Sequence, residues 1–205
     1  MLSIRRSILL MLGSLFIASC SWFSSQEVTP TRVVLNPLDT STHFARSVSM
    51  LEDINRIGTM NLATSFSWWD STGRKRELNE NWGRVMAIYF WNDTQPWSVN
   101  TMGQLIRAKA ALRDSDIVFV GVLTGKGKDS SAVWKAQRSV DSLGVDFQQV
   151  IGNSELNYAY GGINTTPTLF IVARNGKVHQ TIEGQQTSSI FESALRKTLS
   201  YTPGK

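Results

Sequence analysis

The sequence predicts an α/β fold in which helices flank a central mixed β-sheet, preceded by a β-hairpin and a helical extension. Three observations carry this reading. Val85-Met86-Ala87-Ile88-Tyr89-Phe90-Trp91 is an unbroken apolar run rich in β-branched and aromatic residues, as a strand buried on both faces requires. A second run of the same kind spans Ile117–Leu123. Segments with apolar residues at helical spacing follow each of these strands, and a third strand starts within Asn164-Thr165-Thr166-Pro167-Thr168-Leu169-Phe170-Ile171-Val172.

In chain order, residues 1–19 carry a basic head (Arg5, Arg6) and an apolar core over 8–17. That core is too short to span a bilayer and reads as a signal peptide. It ends Ile17-Ala18-Ser19-Cys20, which resembles a bacterial lipobox. Cys20 is then the lipidated first residue of the mature protein; the alternative is a plain secretory signal with an incidental cysteine. Residues 20–42, rich in Ser, Thr and Pro, read as the anchor and a tether holding the domain off a membrane surface. An amphipathic helix is expected within 43–58, with Phe44, Val48, Leu51, Ile54 and Ile57 as its stripe and Gly58 as its stop, serving as an extension packed on the domain or as a partner-binding helix.

Residues 61–78 read as a hairpin turning at Asp70-Ser71-Thr72-Gly73. After Val85–Trp91, the turn residues Asn92, Asp93 and Thr94 lead into a helix with Pro96 in its first turn. That helix presents Met102, Leu105, Ile106, the stem of Lys109, and Leu112. A helix is expected over 131–143, burying Val133, Trp134, Val140 and Leu143. A short extended segment (147–151) and a short helix (154–160) come next. Arg174-Asn175-Gly176-Lys177 is a hairpin turn. The last strand covers 178–184, and the last helix, 188–200, faces the sheet with Ile190, Phe191, Ala194, Leu195 and Leu199.

Composition narrows the function. The 205 residues suit one domain of ordinary size with N-terminal appendages. The formal charge of +5 falls to +3 once Arg5 and Arg6 leave with the leader. No basic run points to nucleic acid. Gly125-Lys126-Gly127-Lys128 lacks the spacing of a phosphate loop. Cys20 is the single cysteine, and His43 and His179 stand far apart. Neither a metal site nor a cofactor is expected.

The strand-turn-helix resembles the active-site segment of the thioredoxin superfamily, in particular its membrane-anchored TlpA-like (redoxin) branch, where the strand ends F-W-x-x-x-C-x-x-C. Phe90-Trp91 match, which sets Gln95 at the first cysteine position and Ser98 at the second, with Pro96 at the proline often found between them. Thr165-Thr166-Pro167-Thr168 is similar to the family's cis-proline loop. The resemblance covers about residues 61–200 and implies a thioredoxin-like fold with the two segments facing each other across a groove.

The family's reaction needs a thiolate at the helix N-terminus and a second thiol to resolve the mixed disulfide. Residues 21–205 contain no cysteine. The site is degenerate at Gln95, Pro96, Trp97 and Ser98, and no catalytic residue is assigned. What the resemblance leaves is the groove, where Trp97, Thr166 and Pro167 would meet an extended peptide; the alternative is that Trp97 packs on its own domain. The favoured reading is an envelope lipoprotein facing the periplasm that binds a protein or peptide partner. A thiol-disulfide oxidoreductase is the competing reading, and an enzyme holding an anion or a glutathione-like ligand through Ser98 or Thr94 is a third.

Overall fold

The computed structural model describes residues 32–41, 62–125 and 130–202. The leader, Cys20 and the amphipathic segment 43–58 lie outside the described residues.

Six strands form the main sheet: β1 (Leu35–Pro37), β4 (Val85–Trp91), β5 (Ile117–Leu123), β6 (Gln148–Ile151), β7 (Thr168–Val172) and β8 (Val178–Glu183). Their order is β1-β6-β5-β4-β7-β8. β4, β5, β6 and β1 run parallel, and β7 and β8 are antiparallel additions. β2 (Ser67–Trp69) and β3 (Lys75–Glu77) make a separate hairpin. Its turn is held by Asp70, whose carboxylate accepts from the Thr72 amide, the Thr72 hydroxyl and the Arg74 amide. Gly73 supplies the positive φ of 76°.

Helices α1 (Pro96–Ala111), α2 (Ser130–Ser142), α3 (Ser154–Ala159) and α4 (Ser188–Leu199) complete the domain. Strand β4 shows why its sequence is apolar throughout. Val85, Ala87, Tyr89 and Trp91 pack in one core with Met102 and Leu105 of α1 and Phe191 and Leu195 of α4. Met86, Ile88 and Phe90 face the opposite core, with Phe66, Trp68, Leu78, Leu156 and Tyr160. The two-residue period of a strand sends alternate side chains into two separate cores, so no position on β4 is left for a polar residue.

Three expectations are corrected. The tether expected over 20–42 does not reach residue 42, because Leu35–Pro37 is the edge strand of the sheet, paired with Gln149, Val150 and Ile151. Gln137 clamps this arm, accepting from the Leu35 amide at 2.9 Å and donating to the Val33 carbonyl at 2.8 Å. Trp134 is 60% exposed rather than buried, its ring covered by the Arg138 guanidinium at 4.0 Å; Ala136 and Val140 fill the inner face of α2 instead. Ile190 is likewise exposed, the sheet-facing stripe of α4 being Phe191, Ala194, Leu195 and Thr198. No helix among the described residues is long and apolar enough to cross a membrane.

Candidate functional site

The site forms where β4 ends and α1 begins. At the end of the strand Asn92 folds the chain into a turn, its side-chain oxygen accepting from the Thr94 amide at 2.9 Å and the Thr94 hydroxyl at 2.8 Å. Gln95 occupies the N-cap with extended backbone, and its carbonyl accepts from the Ser98 and Val99 amides. Its side chain does not cap the helix. Pro96 follows as the first helical residue, where its fixed φ suits the helix. Because proline has no N–H, it also removes one of the free donors that a helix N-terminus ordinarily offers an anion.

Ser98 is fully buried. Its hydroxyl oxygen accepts from the Asn92 amide at 3.0 Å, tying the first turn of α1 back to the end of β4. The Ser98 carbonyl accepts from the Tyr89 hydroxyl at 2.9 Å. Burial raises the Tyr89 pKa, so this phenol stays a neutral donor. Ser98 therefore braces the turn, and its oxygen lies away from solvent. This does not fit the reading in which Ser98 or Thr94 donates to a bound ligand: Ser98 is enclosed, and the Thr94 hydroxyl is directed at Asn92.

Gln95 and Trp97 converge on the loop before β7, some seventy residues further along the chain. The Thr166–Pro167 peptide is cis. The Thr166 hydroxyl donates to the Gln95 side-chain oxygen. The Trp97 indole N–H donates to the Thr166 carbonyl at 3.1 Å. Trp97 nevertheless remains 45% exposed, and its own carbonyl accepts from the Thr101 hydroxyl at 2.7 Å. Pro167 is buried and Pro96 exposed. The structure thus brings Gln95, Trp97 and Thr166 together at one surface, with Ser98 and Pro167 buried rather than lining it.

Sequence reasoning missed the groups that hold this arrangement. Trp91, at the end of β4, donates its indole N–H to the Gln149 side chain of β6 at 3.0 Å, inside the core. Its carbonyl accepts from the Thr124 amide at 2.7 Å and the Thr124 hydroxyl at 3.1 Å. The Asn92 turn itself was expected, since Asn followed by Asp and Thr after a strand is turn chemistry. Gln149 carried none. On its other side the turn borders an open cleft of about 490 Å³ lined by Asp93, Thr94, Lys135, Arg138, Ser139 and Ser142. Gln95 and Trp97 do not line it.

No family model matches the chain, and no curated protein matches it. Solved structures do. A thioredoxin-family thiol:disulfide interchange protein from Chlorobium tepidum superposes with a TM-score of 0.60 at 18% identity, over 70% of this chain and 99% of the other. A secreted disulfide oxidoreductase of Mycobacterium tuberculosis gives 0.54 at 15% identity, over 64% and 95%. StoA of Bacillus subtilis gives 0.53 at 19% identity, over 64% and 96%. At such identities the likeness is one of fold, and the chain has a thioredoxin-like fold.

Proposed function

We propose that the protein is a non-catalytic module of the bacterial cell envelope, anchored at a membrane surface through Cys20, that binds an extended segment of a protein partner at the Trp97–Thr166 surface. The observation that carries this reading is what occupies the two positions where the resemblance places cysteines. Gln95 is hydrogen-bonded to Thr166, and Ser98 is buried as a brace for the turn. Neither is a thiol, and among the described residues neither hydrogen-bonds to a base that could make it a nucleophile. The competing oxidoreductase reading needs a thiolate that residues 21–205 do not contain.

What supports binding is Trp97. A half-exposed tryptophan beside Thr166 offers a large aromatic surface of the kind that anchors partners. A photoreactive phenylalanine analogue at position 97 should crosslink in cells to an envelope protein. The same analogue at Arg113, an exposed position outside the surface, should not. Equal adducts from both positions, or none from position 97, would remove the support for this reading.

A further inference from the structure

We infer that the binding surface is latched by the protein's own side chains, and that its partner must be an extended backbone able to replace the Trp97 indole N–H on the Thr166 carbonyl. The inference rests on the binding reading above and says how that site selects and admits its ligand.

A segment added as a strand beside Thr166 would meet two backbone groups, the Thr166 amide and the Thr166 carbonyl. They are not equally free. The amide has no hydrogen-bond partner among the described residues, whereas the carbonyl already accepts from Trp97 at 3.1 Å. Gln95 holds the same residue through its hydroxyl. Both contacts reach back from the start of α1, whose first turn is itself fixed by Ser98 on Asn92 and by Thr101 on the Trp97 carbonyl. Trp97 is therefore a plug on a braced support.

The latch discriminates by chemistry. An apolar group that merely rests on the Trp97 ring leaves the carbonyl where it is. A peptide in extended conformation brings an N–H that replaces the indole donor and a carbonyl that takes the free Thr166 amide. The exchange at the carbonyl swaps one neutral hydrogen bond for another, so its net cost is small, and the gain comes from the amide. The indole bond lies at a partly exposed surface. Removing it while keeping an aromatic ring should therefore tighten peptide binding.

The test uses the full-length chain carrying Cys20→Ser, with and without Trp97→Phe, and a pool of fluorescein-labelled, cysteine-free dodecapeptides. Peptides that bind the parent chain should bind the Trp97→Phe chain about five-fold more tightly, the size of one neutral hydrogen bond. In the parent, the Trp97 indole proton, identified by its loss from the ¹H–¹⁵N spectrum of the variant, should exchange with solvent more slowly than that of exposed Trp134. Equal or weaker binding by Trp97→Phe, or an indole proton exchanging as fast as that of Trp134, overturns the latch and leaves the binding surface standing. Failure of every peptide to bind either chain overturns the binding reading, and the latch falls with it.

Discussion

Ser98 and Trp97 are neighbours with opposite fates, and their fates follow from which way the first turn of α1 points them. Ser98 faces inward, fully buried, where an alcohol needs a partner; the Asn92 amide provides it. Deleting the hydroxyl leaves that amide without its acceptor. Ser98→Ala should therefore lower unfolding free energy by about 1–2 kcal/mol, read as a shift in urea midpoint with an unchanged slope. A midpoint equal to that of the parent would mean the turn is held by Tyr89 and the helix alone. Trp97 faces outward and reaches Thr166. The register that placed both residues at the site was legible from Phe90-Trp91 and Pro96. Their roles were not, because the groups they bond, an amide six residues back and a carbonyl on a distant loop, are joined to them only by the fold.

At the scale of elements, the sheet is wedged together by one polar residue. Gln149 on β6 lies flat against Gly121 of β5 and holds the Trp91 indole of β4. A Cβ at Gly121 would come within 2.5 Å of three atoms of the Gln149 amide. Gly121→Ala must therefore push that side chain aside and break its bond to Trp91. The expected loss is about 1–3 kcal/mol, and the same substitution should cost far less in a Gln149→Ala background, where the space is open. Additive losses in that double-mutant cycle would show that the two positions do not share the space. Elements with a long apolar period were legible in the sequence: β4 and β5 match their expected bounds to the residue. β1 was not, since a three-residue strand ending in a proline has no period to read, and its partner β6 lies more than a hundred positions away. Trp134 and Ile190 were misplaced for a related reason. Each sits one residue from the true stripe, and the small Ala136 and the hydroxyl of Thr198 fill places where a larger apolar residue was expected.

Over the whole molecule, acid should act in two stages. Burial lowers the His179 pKa in the folded state, so its neutral form contributes stability above the ordinary imidazole value, near 6.5, that is lost as pH falls below it. Asp39, Asp70 and Asp141 are held below the usual carboxylate range by hydrogen bonds from Lys75, Thr72 and Arg32 respectively. Their contribution is complete above about pH 4 and is lost as pH falls through their folded values. Urea midpoints measured against pH should show both stages, with His179→Gln removing the first and Asp39→Asn shrinking the second; a flat profile from pH 7 to 3 would contradict both. Chemistry is the other property of the whole, because it needs the turn, the helix start and the Thr166 loop at once. The Cys20→Ser chain contains no thiol, and it should leave a disulfide-bonded protein substrate unreduced at any pH. Gln95→Cys with Ser98→Cys, in the same background, puts one thiol at the partly exposed N-cap and one at the buried brace. The helix dipole favours a thiolate at the first position, although Pro96 removes one of the N–H groups that would stabilise it. Measurable reductase turnover is the expected gain. Adding Trp97→Phe to this variant should raise turnover further if substrate must displace the indole from Thr166, whereas unchanged turnover would place the substrate's backbone elsewhere.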